Sequence, residues 1–233
     1  MNGRILMLCP TRRPERFRAM VKSILETSKR VDVAAYVDHT DIDKYRLMHE
    51  SLGDRVVWMF GEAMGNNPHP HRGSVWCANA LAGEFKEHSL YGFIPDDALV
   101  TTPGWDDYLF EMAADFPGDI GMIDVPFGGE IKDGGSWKFN APVVSRKWID
   151  VVGWYCPPRF NHWCWPECMG LIGESTYLVR PPASKVNVEH FNDMQEAQYG
   201  QGSENPGVYE FITEEYRVAV MALREAMEGV CHK

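Results

Sequence analysis

Apolar positions in this chain follow two alternating periods. Residues 4 to 9 (RILMLC) form a short apolar run that stops at Pro10 and Thr11. From 14 to 27, Phe17, Met20, Val21, Ile24 and Leu25 then fall at helical spacing. The pattern predicts a strand, a polar turn and an amphipathic helix. The strand signal returns at 31–38 (VDVAAYVD), 41–51 reads as helix, and RVVWMF at 55–60 reads as a third strand. Strands alternating with helices predict a mostly parallel sheet covered on both faces.

Beyond a polar loop at 62–73 (EAMGNNPHPHRG), Val75, Ala78, Ala82 and Phe85 share one helical face. LYGFIPDDALV at 90–100 reads as an apolar strand with two aspartates at its end, followed by a helix over 105–114. A strand is expected at 120–125. After it, PFGGEIKDGGSWKF carries Gly128, Gly129, Gly134 and Gly135 and is expected to be a mobile excursion, an active-site lid. The remainder predicts a helix near 145–152, an aromatic and Cys-rich stretch (WYCPPRFNHWCWPECMG), and a strand near 185–190. A last helix, 208–227, would bury Ile212, Tyr216, Ala219, Val220, Leu223 and Met227. With no repeat and no linker, residues 1–233 are expected to form one α/β domain.

Composition changes this picture little. Hydrophobic residues make up 45% and charged residues 24%, the mixture of a packed globular body. No apolar run approaches the length that crosses a bilayer, and MNGRILMLCPTRR enters a strand pattern, not a signal-peptide core. The expectation is a cytoplasmic protein with no membrane partner. Its six cysteines are then expected as reduced thiols and not as a disulfide framework. A net charge of -10 argues against broad binding to phosphate backbones.

Asp96 and Asp97 are the sharpest chemical feature, because paired carboxylates at a strand end can hold Mg²⁺ or Mn²⁺ with positions left for phosphate oxygens. The alternative is that they only end a strand and cap a turn. The first strand ends in PTRRPERF and the second at Asp38, so several strand ends converge on one crevice. Arg12, Arg13 and Arg72 suit bidentate phosphate contacts. Cys156, His162, Cys164 and Cys168 offer a zinc set, although a C-x7-C-x3-C spacing departs from common zinc knuckles. Trp154, Tyr155, Trp163 and Trp165 are either core or a stacking platform for a sugar or base.

PTRRPERFRAMVKSI resembles the opening turn and helix of family-two glycosyltransferases, and FIPDDALVTTPGWDDYL resembles their acidic strand end with its following proline, glycine and tryptophan. Similar stretches continue at 141–163 and 186–200, so the resemblance covers most of the chain in the family's order. Small GT-A enzymes, many of them phage-encoded, are the group it points to. The resemblance implies a GT-A (Rossmann-like) fold, a nucleotide-sugar donor with UDP-sugars favoured, and Mn²⁺ or Mg²⁺. It places Pro10 and Thr11 in the base pocket, Asp38 on the nucleobase or ribose, and Asp97, with Asp96 beside it, at the metal. His190 is implied as the late metal ligand, the alternative being a surface histidine. Asn79 is implied at the donor diphosphate, although the basic residue that commonly precedes it is Ala78 here. Glu167 is the implied base that deprotonates the acceptor, or else an acidic residue at a helix N-terminus.

About 1–125 would be the donor half and about 126–233 the acceptor half. A hydroxymethylated pyrimidine in phage DNA and a glycan are both acceptors the resemblance allows. Two other classes stay open. A nucleotidyltransferase would also use an acidic strand end, but the chain lacks both G-x-G-x-x-G and G-x-x-x-x-G-K-[ST] loops. A catalytically inactive module binding carbohydrate or sugar nucleotide would keep the fold without turnover.

Overall fold

Strand β1 (Ile5–Thr11) is fully buried from Ile5 to Cys9, as a central strand covered on both faces must be. Ile5, Met7 and Cys9 enter one core while Leu6 and Leu8 enter another. The computed structural model describes residues 3–61, 73–125, 141–160, 165–180, 183–190 and 213–231, with the backbone alone for His190 and Cys231. In it, α1 (Pro14–Thr27), β2 (Val31–Asp38), α2 (Ile42–Ser51) and β3 (Val56–Gly61) follow β1 in order. Next come α3 (Ser74–Glu84), β4 (Leu90–Phe93), β5 (Ala98–Val100), α4 (Trp105–Ala113) and β6 (Met122–Val125). The rest is β7 (Ala141–Ser145), α5 (Arg146–Val152), α6 (Trp165–Thr176), β8 (Val179–Arg180), β9 (Val188–His190) and α7 (Glu214–Cys231).

Seven strands form one sheet in the order β3-β2-β1-β4-β7-β6-β8. All run the same way except β7, which is antiparallel to both β4 and β6. Helices α1, α2 and α4 cover one face, and α3, α5, α6 and α7 the other. This is the mostly parallel, helix-flanked α/β architecture that the strand–helix alternation predicts. Pro14 opens α1, where its missing N–H costs nothing, and Phe17, Met20, Val21 and Ile24 face the sheet. Among the described residues, no helix is long and apolar enough to cross a membrane. Cys9, Cys77, Cys156 and Cys168 are buried free thiols.

The structure corrects the reading at several places. The run 90–100 is two strands, not one. Ile94 N still donates to Leu8 O at 3.1 Å, but Pro95 has no N–H to continue the ladder, and Ala98 N turns back to Pro95 O at 3.2 Å. The chain turns through Asp96 and Asp97, and β5 leaves the main sheet to pair antiparallel with β9. Strands β7 and β8 occupy stretches for which the pattern predicts no regular element, and helix α6 has Glu167 in its first turn, the helix N-terminus weighed as the alternative for that residue. The strand near 185–190 shortens to Val188–His190. The last helix starts at Glu214, where Thr213 Oγ1 accepts from Tyr216 N at 3.1 Å and caps the first turn. The expected lid at 126–139 and the loop at 62–72 lie outside the described residues, as does Ile212.

Candidate functional site

The carboxyl ends of the parallel strands bring together most of the residues singled out from the sequence. Thr11 ends β1 and Asp38 ends β2, where it stands opposite Gly61 of β3. Phe93 ends β4 beside Leu8, and the turn after it presents Asp96 and Asp97. Such a sheet edge is where open α/β folds bind ligands.

Asp96 is anchored from two sides. Thr11 Oγ1 donates to Asp96 Oδ2 at 2.9 Å, and the Tyr45 hydroxyl lies 2.9 Å from Thr11 Oγ1. Since the Thr11 proton is committed to Asp96, Tyr45 is the donor to Thr11. Burial, with the Asp96 charge adding to it, pushes the Tyr45 phenol well above its ordinary value, so it stays protonated in that role. From the other side Arg13 Nε donates to Asp96 Oδ1 at 3.0 Å, and its Nη2 donates both to Asp96 Oδ1 and, at 3.1 Å, to Asp97 Oδ2. Arg16 Nη1 stands 3.8 Å from the same Asp97 oxygen. Cys9 lies beneath this group; burial, reinforced by Asp96 and Asp97, pushes its thiol far up. Arg12 Nε is 3.7 Å from Asp41 Oδ2, and Lys44 Nζ donates to Asp41 Oδ1 at 2.5 Å.

The donors this edge offers to a hard divalent ion are the two carboxylates. The Asp96 side chain is only 6% exposed and both its oxygens accept hydrogen bonds, so it serves as the anchor; Asp97 is 26% exposed and is the more open carboxylate. The β5–β9 register sets the His190 backbone opposite Ala98, the residue next to Asp97. Carboxylate oxygens, with other positions taken by phosphate oxygens and water, suit Mn²⁺ or Mg²⁺. Among the described residues no trio of His, Cys, Asp or Glu side chains is gathered to hold an ion. Phosphate oxygens would therefore have to complete the coordination.

Other residues singled out from the sequence are placed differently. Asp38 is fully buried, with His39 Nδ1 3.8 Å away, so a nucleobase or ribose would reach it only once it is uncovered. Pro10 is half-buried near the end of β1, opposite Tyr36. Asn79 is committed to the backbone: Nδ2 donates to Cys156 O, and Oδ1 accepts from Tyr155 N and Cys156 N, each at 2.8 Å. Its amide therefore clamps the segment after α5. Trp165 edge-packs on Phe93 at 5.5 Å between ring centroids, which brings the start of α6 to the site end of β4. Glu167 sits in that first helical turn, half-buried. Tyr155 and Trp165 are core, which removes them from any exposed stacking platform. Cys156 and Cys168 of the zinc set are buried thiols, Cys168 pushed up to about 12 by burial first and then by the nearby Glu215 charge. Arg72, Trp163, His162 and Cys164 lie outside the described residues.

Two residues of the site escaped the sequence reading. Arg16 was legible as the i+3 neighbour of Arg13 at the opening of a helix, and so on the same face. Tyr45 gave no signal beyond its place on the buried stripe of α2.

Fold and site together define an α/β protein whose strand-end crevice carries an acidic pair braced by arginines. Among solved structures the chain is similar to the glycosyltransferase GlyE of Streptococcus pneumoniae TIGR4, at 10% identity and a TM-score of 0.41 over 76% of this chain and 40% of that one. It is similar also to the apo form of GlyE, at 10% identity and 0.40 over 79% and 42% of the two chains. A third is mouse xyloside xylosyltransferase 1 in its apo form, at 12% identity and 0.39 over 64% and 68%. The chain spans about two-fifths of the length of GlyE. No protein-family model matches it, and no curated protein does.

Proposed function

We propose that the chain is a metal-dependent glycosyltransferase, moving a sugar from a nucleoside-diphosphate sugar, with UDP-sugars favoured, to an acceptor hydroxyl. The observation that supports this reading is the β5–β9 pairing, in which the His190 backbone stands opposite Ala98, the residue after Asp97. Asp97 and His190 are the two residues that the sequence resemblance implies as metal ligands.

On this reading residues 1–125 hold the donor and 126–233 the acceptor. Asp97 and His190 hold Mn²⁺ or Mg²⁺, which when bound offsets the charge of the departing diphosphate. Arg12 and Arg13, on the turn after β1, add cationic charge at the same edge, and Thr11 and Tyr45 keep Asp96 in one orientation. Asp38 orients the base or ribose after it is uncovered. Glu167, at the start of α6, takes the acceptor proton as the hydroxyl attacks the anomeric carbon. An acidic chain favours a glycan or other small acceptor over DNA.

Calorimetric titration with nucleoside diphosphates and their sugars, with Mn²⁺ and then with chelator, tests the reading. The expected result is metal-dependent binding of one nucleotide, lost in Asp97→Ala. Absence of binding to every nucleotide would sink it.

A further inference from the structure

The carboxylate pair at the strand end already has a cation of its own. Arg13, the residue preceding α1, spans both carboxylates: Nε and Nη2 reach Asp96, and Nη2 also reaches Asp97 Oδ2 at 3.1 Å. Arg16 approaches that same Asp97 oxygen at 3.8 Å. Two carboxylates face two guanidiniums, so the formal charge of the four groups is zero. A divalent ion arriving alone meets a pair whose more open carboxylate is already engaged by guanidinium groups.

We propose that Arg13 is a built-in counter-ion that holds the Asp96–Asp97 pair against a lone divalent cation until a nucleoside diphosphate draws its guanidinium away. The inference rests on the reading of Asp97 as a metal ligand. Three features of the geometry support it. The guanidinium fork fits phosphate as well as it fits carboxylate, so a diphosphate offers Arg13 an equivalent partner. The Arg13 side chain is 33% exposed and has solvent to move through. Thr11 holds Asp96 Oδ2 independently, so that carboxylate keeps its orientation after Arg13 leaves. Metal and donor then bind as a pair, and by linkage each raises the affinity for the other by the same factor.

The test is a titration of Mn²⁺ alone, read as loss of the free-ion electron paramagnetic resonance signal, repeated with UDP. It compares the wild type with Arg13→Ala, Arg13→Lys and Asp97→Ala, each checked by thermal melting. Without nucleotide, Arg13→Ala should bind Mn²⁺ roughly tenfold more tightly than the wild type, the scale of one lost charge-assisted pair. Arg13→Lys, which keeps the charge but cannot span both carboxylates, should fall between them. UDP should tighten Mn²⁺ binding strongly in the wild type and little in Arg13→Ala. Equal or weaker Mn²⁺ binding by Arg13→Ala, with binding still abolished in Asp97→Ala, overturns the counter-ion role and leaves the metal site standing. If Arg13→Ala does not fold, the lysine variant decides by the same criterion. No Mn²⁺ binding by any of the proteins, with or without UDP, overturns both.

Discussion

Replacing Asn79 by alanine separates two roles for one side chain. In the structure its amide makes three hydrogen bonds of 2.8 Å to the backbone of Tyr155 and Cys156, both completely buried residues. Alanine would strand two N–H groups and one carbonyl where little water reaches them. A hydrogen bond is worth about 1 kcal/mol net, and a buried group left without its partner costs about 1–3 kcal/mol. Asn79 is itself half-buried, so water entering the vacated space recovers part of that cost, and the expected loss is about 3 kcal/mol. In a chain of this length each kcal/mol lowers Tm by about 2–4 °C, so the Tm of Asn79→Ala should fall by about 6–12 °C. Asn79→Asp keeps both acceptor contacts but turns a carboxylate oxygen toward Cys156 O where Nδ2 had donated, so it should cost at least about 1 kcal/mol, the donor's share, with oxygen–oxygen repulsion added. Urea and thermal unfolding of the three proteins, followed by circular dichroism, measure this directly. If Asn79 instead held a diphosphate, the alanine variant would melt with the wild type and lose nucleotide affinity. An unchanged Tm would refute the clamp.

Three further outcomes are expected. Burial alone would raise the Asp32 carboxyl, but hydrogen bonds from His88 and Arg4 outweigh it and hold it at about 2, below its ordinary 3.8. A depressed carboxyl gives stability that is complete above the ordinary value and lost as pH falls from there through about 2; this is worth about 2 kcal/mol. Asp32→Asn should therefore be less stable than the wild type at pH 6, with the gap narrowing below pH 4 in urea unfolding; a constant gap would refute the linkage. Thr11→Val should destabilise by about 2–3 kcal/mol by stranding both the Tyr45 hydroxyl and Asp96 Oδ2, and Tyr45→Phe in that background should cost less than it does alone. Additive losses in that double-mutant cycle would show that no relay exists. Cys9, Cys77, Cys156 and Cys168 are buried, and burial raises each thiol, so they should resist iodoacetamide at pH 8 in the native state and react in urea. Mass-mapped labelling of any of the four in the folded protein would contradict the packing.

The first half of the fold was legible because its strands and helices are each complete in sequence. Phe17, Met20, Val21 and Ile24 keep one face, and β1 is apolar from Ile5 to Pro10, so periodicity and burial agree. The second half conceals its elements for a physical reason. Helix α6 carries Pro166, Gly170 and Gly173, which read as breakers, yet a Cβ at Gly173 would lie 2.7 Å from Met122 Cε and 3.0 Å from Val179 Cβ. Close approach of α6 to β6 and β8 requires the glycine that hides the helix.

The candidate site follows the same division. Asp96 and Asp97 were conspicuous in the sequence, but nothing local told that Pro95 ends the ladder and sends Ala98–Val100 out of the main sheet. That departure is what the site depends on. A strand continuing straight past Phe93 would keep both aspartates in the sheet, with their side chains on opposite faces. The turn instead lets Thr11, the last residue of β1, and Arg13, on the turn after it, reach Asp96 together, and leaves β5 free to pair with β9. A missing N–H at one proline thus converts the end of an apolar run into a junction between two sheets, with the acidic pair on the turn between them.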